Sequence, residues 1–365
     1  MGTGFVGIFS CQRFGGGFLF LGKEKSPIAL PRDEAFFSAL DSSVVGLDGA
    51  FSGSITTSNF TMIESKLQEE VATKFQPKKE ASLLLSEVYR KLDLISRAVR
   101  VFGCGSYLEY HVTEQEKKLH TANFCKDRLC PMCNWRRSLK IFGQVSQVMN
   151  ELEKQGYQFL FLTLTVKNCS ASDLPDTVQM LFDGWRKLYN KKGIFQKSVS
   201  GSFRSLEVTR NIRTSFFHPH LHVILAVRPD YFSGRNYISQ AEWGHLWRSC
   251  CDLDYDPVID IRKIKPGSEG LSGAVAEVSK YAVKATDFLK GSMDDMTSYV
   301  ISFLSALSRR RLCSFTGCFI DIRKQLSLDD VENGDLVFVE SDRLREDVAY
   351  MVVRYFWRSG FYVCE

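Results

Sequence analysis

Apolar residues recur at helical spacing through "EASLLLSEVYRKLDLISRAVRVF", which predicts a helix over roughly 80–100. "PMCNWRRSLKIFGQVSQVMNELEKQG" keeps the same period and ends on Gly156, a suitable C-cap. The pattern then changes. "YQFLFLTLTVKN" is long, rich in β-formers and has no helical stripe, so it predicts a strand. "SGSFRSLEVTRN" and "FFHPHLHVILAVRP" predict two more, joined by a polar turn at Asn211 to Thr214 and paired as an antiparallel hairpin. "DPVIDIRKIKP" predicts a fourth. Helices are expected in "DLPDTVQMLFDGWRKLYNKK", "SQAEWGHLWRSCC", "GLSGAVAEVSKYAVKATDFL" and "MTSYVISFLSALSRRR". The fold class that follows is α+β, a mainly antiparallel sheet flanked by helices.

The pattern also divides the chain. Residues 1–75 mix Gly, Ser and Thr with short apolar runs and read as a poorly ordered leader. Residues 76–156 read as a helical, cysteine-rich segment, and 157–325 as the main sheet-and-helix domain. Residues 326–365 turn acidic and then aromatic, and are expected to pack on the core as a C-terminal segment.

Composition adds limits. The chain has 365 residues and is 44% hydrophobic, enough for a sizeable core. Its 47 Lys+Arg against 42 Asp+Glu leave +5, which permits a nucleic-acid partner without arguing for one. Eleven cysteines are unevenly spread, four of them within one short region, which fits a reducing compartment with one local metal site rather than a disulfide framework. No apolar run reaches the roughly 18 residues of a membrane span. No basic stretch precedes the first apolar residues, and Val6 departs from the myristoylation pattern. A cytoplasmic protein with no membrane partner is expected.

Three patterns carry chemistry. On a strand, side chains two apart share a face, so His218, His220 and His222 line one face of the third strand while Leu221, Val223 and Leu225 serve the core. Two such imidazoles can hold one divalent cation, with a carboxylate from the neighbouring strand as third ligand. Glu207 in "SLEVT" is the best-placed acid. Two histidines, one acid and open positions suit catalysis better than structure. Imidazole matches Mn²⁺ better than Mg²⁺, which prefers oxygen.

The second pattern is "FCKDRLCPMCNWRR", in which Cys125, Cys130 and Cys133 have the spacing of a structural zinc knuckle. The fourth ligand is Cys104, with His120 and His111 as alternatives. Glycines on either side of Cys104 allow a tight backbone. Arg136 and Arg137 follow directly and could meet phosphates, as could Arg309 to Arg311 in "LSRRRLCSF".

In the third, "AEVSKYAVK", Glu277, Tyr281 and Lys284 share one face if the segment is a continuous helix. A phenol with a pKa of about 10 is a poor nucleophile. Beside a metal-polarised phosphodiester or a base it becomes competent. The chain has no G-x4-G-K-[ST] phosphate loop, consistent with a transfer that needs no ATP.

In this order, "FLFLTLTVKN", "FHPHLHVILAV" and "EVSKYAVKATDF" resemble the three motifs of HUH endonucleases. "NFCKDRLCPMCNWRRSLK" narrows the resemblance to rolling-circle plasmid replication initiators of the Rep type, and it covers roughly residues 95–360. It implies an HUH-type antiparallel sheet with a small zinc-stabilised segment, and places the nuclease domain at 157–325. His220 and His222 become the metal pair, with His218 outside it and its role open. Tyr281 becomes the nucleophile, and Glu277 the residue that activates water in the terminating cleavage. The implied activity is nicking of one strand at the plasmid's double-strand origin, leaving a 5′-phosphotyrosyl link and a 3′-OH primer. The implied cofactors are Mn²⁺ or Mg²⁺ and a structural Zn²⁺. The implied partners are origin DNA, duplex and single-stranded, with a host helicase and DNA polymerase. An HUH-type transposase or relaxase uses the same chemistry. A non-catalytic zinc-containing repressor would leave the histidine strand and Glu277/Tyr281 unexplained.

Overall fold

The computed structural model describes residues 57–113, 116–191, 193–211, 213–233, 236–280, 282, 284–339 and 350–365. In chain order, α1 (Thr57–Glu70) runs through one π-helical turn into α2 (Gln76–Lys91), and α3 (Ile95–Gly103) follows. Then come β1 (Tyr107–Val112), β2 (Lys117–Ala122), the long α4 (Pro131–Lys154) and β3 (Gln158–Thr165). Helices α5 (Leu174–Tyr189) and α6 (Ile194–Ser198) lead to the hairpin β4 (Val199–Arg210) and β5 (Phe217–Val227). After α7 (Gln240–Cys250) and β6 (Ile259–Lys263) come α8 (Ser268–Val278), α9 (Ala285–Phe288) and α10 (Met293–Leu307). The chain closes with β7 (Cys313–Gly317), α11 (Cys318–Gln325), β8 (Met351–Arg358) and β9 (Phe361–Cys364).

The fold is α+β, and all its strand pairings are antiparallel. The main sheet has the order β6-β3-β5-β4-β7, so the histidine strand β5 lies at its centre. Both faces of this sheet carry helices, and β3, β4 and β5 are buried almost throughout, including the polar residues Ser202, Arg204 and Ser205 of β4. Helices α5 and α10 pack on one face, where Phe217 meets Tyr299 and Phe303 edge-on. Helices α8 and α11, backed by α4, cover part of the other, where Phe159 meets Phe319.

Three sequence expectations need correction. The helix expected over 80–100 is two helices. Asp93 turns the chain at φ 57°, and α3 folds back on α2 with Ser86 Oγ donating to the Ala98 carbonyl. Residues 57–75, expected in the leader, are helical because Leu67, Val71 and Phe75 form a buried stripe four residues apart. Phe75 packs edge-on against Trp135 at 4.8 Å between ring centroids. The remaining leader residues, 1–56, lie outside the described residues.

The described strands of the C-terminal segment lie outside the histidine sheet. β8 pairs with β1, giving a second sheet of order β2-β1-β8-β9 that ties the chain's end to its cysteine-rich part. Third, "GLSGAVAEVSKYAVKATDFL" is not one helix. α8 stops at Val278, and α9 restarts only at Ala285. Glu277 and Lys284 therefore do not lie on one continuous helix, and Tyr281 lies outside the described residues.

Candidate active site

The hairpin register brings the histidine face together with its acid. Glu207 on β4 stands opposite His220, and Ser205 opposite His222. Glu207, His220 and His222 are all buried on the same face of the sheet. Nε2 of His220 and Nε2 of His222 stand 3.0 Å apart, and Glu207 Oε2 lies 3.0 Å from His222 Nε2 and 3.3 Å from His220 Nε2. The other ring nitrogens are already engaged: His220 Nδ1 faces the His218 carbonyl at 3.0 Å, and His222 Nδ1 faces Thr163 Oγ1 at 3.3 Å. Such outer contacts fix ring orientation and leave Nε2 to bind. Three donor atoms around one point, with a buried Ser205 Oγ beside them that lacks a partner, mark a polar site that could hold a metal ion. Burial opposes ionisation of Glu207. Hydrogen bonds with His220 and His222, and the charges of His220 and Lys284, outweigh it and hold the carboxyl well below its usual range.

The segment after α8 reaches this site by a different route from the one expected. Glu277, in the last turn of α8, places Oε1 3.7 Å from His222 Nε2 and 2.5 Å from Lys280 Nζ. Lys284 Nζ lies 3.2 Å from Glu207 Oε1. The carbonyl of Ala282, next in the chain to Tyr281, accepts a bond from the Val208 N–H at 2.8 Å. The backbone that follows Tyr281 is thus latched to β4 one residue beyond Glu207. His218 stands outside the trio, half-buried, with Nδ1 2.8 Å from Asn168 Oδ1. Burial, then the nearby His220, lowers its pKa.

Sequence reasoning missed Thr163, Asn168 and Lys280. Thr163 carried a faint signal, a polar residue in an apolar strand. Lys280 gave none, because one cation on a helix end is ordinary.

A second cluster joins Cys104, Cys125, Cys130 and Cys133. Sγ of Cys104 lies 3.5 Å from that of Cys133 and 3.5 Å from that of Cys130, and Cys125 lies 3.7 Å from Cys133. The backbone N–H groups of Cys125, Lys126 and Asp127 donate to these sulfurs. Gly105 at φ +64°, with Met132 so near that a Cβ would touch it at 3.0 Å, lets the chain turn into β1. Burial opposes ionisation of Cys130, but hydrogen bonds from the other three cysteines and Ser82 outweigh it and favour its thiolate. Buried Lys79 donates to the carbonyls of Phe102 and Cys104, and burial pulls its pKa down to about 8. The four thiols could hold a metal ion. His111 and His120 lie elsewhere, gathered at Glu109 with their rings stacked 3.7 Å apart. One donor atom from each of Glu109, His111 and His120 lies within 4.8 Å of the others, so this trio could also hold a metal ion, apart from the cysteines.

Arg136 and Arg137 do not face solvent. Arg136 donates to the carbonyls of Leu336 and Val337. Arg137 donates to those of Glu332, Asp127 and Lys126, clamping the cysteine loop to the C-terminal part. Arg137→Met leaves these buried acceptors unpaired and is expected to destabilise the protein by about 2–4 kcal/mol. Thermal unfolding checks this, and an unchanged Tm would refute the clamp.

The chain matches the family model described as "Replication protein" over residues 116–362. It is 40% identical to "Protein rep" of Streptococcus pneumoniae over 272 residues, which is 73% of this chain and 83% of that protein. It is 37% identical to "Protein rep" of Bacillus amyloliquefaciens over 328 residues, 83% of this chain and 96% of that one. A "Replication protein" of Staphylococcus aureus is 32% identical over 231 residues, 61% and 98% of the two chains. No solved structure matches. These matches place the chain in the class of replication proteins. The chain belongs to this family, the rolling-circle plasmid replication initiators. Among the described residues, no helix is long and apolar enough to cross a membrane.

Proposed function

We propose that this initiator nicks one strand at its plasmid's double-strand origin through Tyr281. The phenol oxygen attacks the scissile phosphorus, the P–O3′ bond breaks, and the departing 3′ oxygen takes up a proton. One phosphodiester is exchanged for another, so the step is close to balanced in energy. The 3′ hydroxyl serves a host polymerase as primer, and the phosphotyrosyl link keeps the 5′ end in hand. A later strand transfer or hydrolysis reverses the link without ATP. Origin DNA, a host helicase and a host polymerase are the partners of this cycle, which takes place in the cytoplasm.

The observation that carries the reading is the convergence of Glu207, His220 and His222, with Glu277 and Lys284 brought to the same spot. Ligands at right angles around an octahedral ion with bonds of about 2.1 Å stand roughly 3.0 Å apart. The 3.0–3.3 Å spacing of the three donors fits that, and suits Mn²⁺ or Mg²⁺. When bound, the ion polarises the scissile phosphate and offsets charge that builds on it. The Lys284 ammonium lowers the free-energy cost of charge on the attacking oxygen. Glu277 is the base for water in the terminating cleavage. The cysteine site is structural. Thiolates around tetrahedral Zn²⁺ at bonds of about 2.3 Å stand roughly 3.8 Å apart, close to the 3.5–3.7 Å between sulfurs.

The test is a denaturing gel of protein incubated with Mn²⁺ and labelled single strands from its own replicon. A labelled band at protein mass, lost on chelation, is expected. No such band across the replicon, with DNA binding intact, would overturn the reading in favour of a non-catalytic repressor. Glu277→Gln is expected to form the band at near-normal rate but to release it at least about tenfold more slowly. Equal slowing of both steps would remove Glu277 from the water-activating role.

A further inference from the structure

Side chains alternate along β4, so Arg204 points away from the face that carries Glu207. It lies under α5, with its guanidinium 4.4 Å from the centre of the Phe182 ring. Only 8% of Arg204 is exposed. Its terminal nitrogens donate to the carbonyls of Leu312 and Arg311, and its Nε has no partner. Among the described residues no carboxylate comes within ion-pair distance of it. Burial pulls its pKa down to about 10. A buried cation held only by carbonyls is expensive to keep, and an anion brought to it would recover part of that free energy.

Arg204 lines a cavity of about 350 Å³ between α5 and the end of α10. A second, of about 340 Å³, adjoins it through Arg311 and Ser314 and is bounded by α11. The continuous groove is lined by six cations, Arg186, Arg204, Arg310, Arg311, Arg323 and Lys324, against two carboxylates, Asp183 and Asp330. Four positive charges in excess sit here, while the whole chain carries only five. The floor is aromatic, with Phe182, Trp185 and Tyr189 from α5 and Phe315 under the Arg323 guanidinium. Arginines beside aromatic faces recognise nucleotides, because phosphates meet the cations and bases meet the rings. Cavities of this size take one nucleotide at a time, which favours an unpaired strand over a duplex lying across the rim.

We propose that this groove, which starts under α5 on the face of the sheet opposite the histidines and passes round the β7 edge to α11, is a second nucleic-acid site that holds a single DNA strand away from the point of cleavage. It rests on the proposed reading for the identity of its anion, and not for any catalytic step. One enzyme would then grip a strand at the histidine site in the middle of its central sheet and again round that sheet's β7 edge. The cleaved end lies at the histidine face, and a separated stretch lies along α5 and α11.

The test uses the full chain and a labelled oligothymidylate of about a dozen nucleotides, within the usual footprint of one strand-binding fold. Binding is followed by fluorescence anisotropy across a range of NaCl. Arg186 and Lys324 are exposed residues on the rim. The double variant Arg186→Glu/Lys324→Glu is expected to keep its Tm and bind at least about tenfold more weakly. The slope of log K against log salt should fall by roughly 1.4, or about 0.7 for each phosphate that the variant no longer neutralises. His220→Ala is expected to leave that slope unchanged. Unchanged affinity and slope in the folded double variant would overturn the proposal. So would competition by thymidine monophosphate that equals the oligomer per nucleotide, which would make this a free-nucleotide site. Equal competition by polyglutamate would make it an acidic-peptide surface and also overturn it. Loss of the covalent band with the salt slope intact would strike the nicking reading alone.

Discussion

Tyr281→Phe is expected to abolish the covalent protein–DNA band, lowering its rate of formation by at least about 10³-fold, and to leave origin binding within about twofold. The substitution removes a single oxygen. The aromatic ring is kept, and the one capacity lost is forming a bond to phosphorus. The expectation is sharper because α8 ends at Val278 and the chain crosses to the site as irregular backbone. The Ala282 carbonyl is tied to Val208 N–H, and Lys284 is tied to Glu207. The two described neighbours on its C-terminal side, Ala282 and Lys284, are thus held at β4 beside the histidine site. His220→Ala is expected to slow the same step on the order of 10³-fold, because one of three converging donors is gone. The two variants separate on metal. Tyr281→Phe should still bind Mn²⁺ as tightly as the parent, read by isothermal titration, whereas His220→Ala should not. A Tyr281→Phe protein that still forms the band would move the nucleophile to another residue. A plain metallohydrolase would lose activity only in the histidine variant.

Chemistry was more legible in the sequence than architecture. The alternation of His218, His220 and His222 needs only the two-residue period of a strand, and that period holds at any register. The partner acid was legible because "SLEVT" lay on the adjoining strand. The Glu207–His220 pairing then follows from where the Asn211 turn closes the hairpin. Cysteine spacing likewise survives ignorance of the fold. What failed were features decided by distant packing. In "AEVSKYAVK" the one local signal against a longer helix is Ser279, the C-cap, whose hydroxyl donates back to the Val275 carbonyl. The Ala282 carbonyl is taken by the Val208 N–H of β4, a partner that the sequence does not reveal. The second sheet was invisible because β1 and β8 are more than two hundred residues apart in sequence and neither alternates strongly. Arg136 and Arg137 look like a surface pair on a helix. They become internal only because the stretch from Glu332 to Val337 lays its carbonyls over them.

Removing the ion from the cysteine site is expected to unfold more than the cysteine loop. A structural zinc site contributes on the order of 10 kcal/mol, as large as the roughly 5–15 kcal/mol that holds a whole domain folded. The loop it would fix is bonded outward in every direction. Asp127 receives Tyr89 and Arg97, and the carbonyls of Lys126 and Asp127 receive Arg137. Tyr362 on β9 donates to the Gly105 carbonyl beside Cys104, at 2.6 Å. Through β1, paired with β8, the same loop anchors the C-terminal strands. Cys130→Ser, or stripping with a chelator selective for zinc over manganese, is therefore expected to lower Tm by more than about 10 °C. It should also expose β8 and β9 to proteolysis before the histidine sheet. Elemental analysis should find one zinc per chain in the parent and less than half of that in Cys130→Ser. The candidate donors Glu207, His220 and His222 lie on β4 and β5 in the other sheet, so a stripped chain kept below its lowered Tm is expected still to bind Mn²⁺. A metal-free parent with unchanged Tm and unchanged protection of β8 and β9 would show the four thiols to be ordinary core residues.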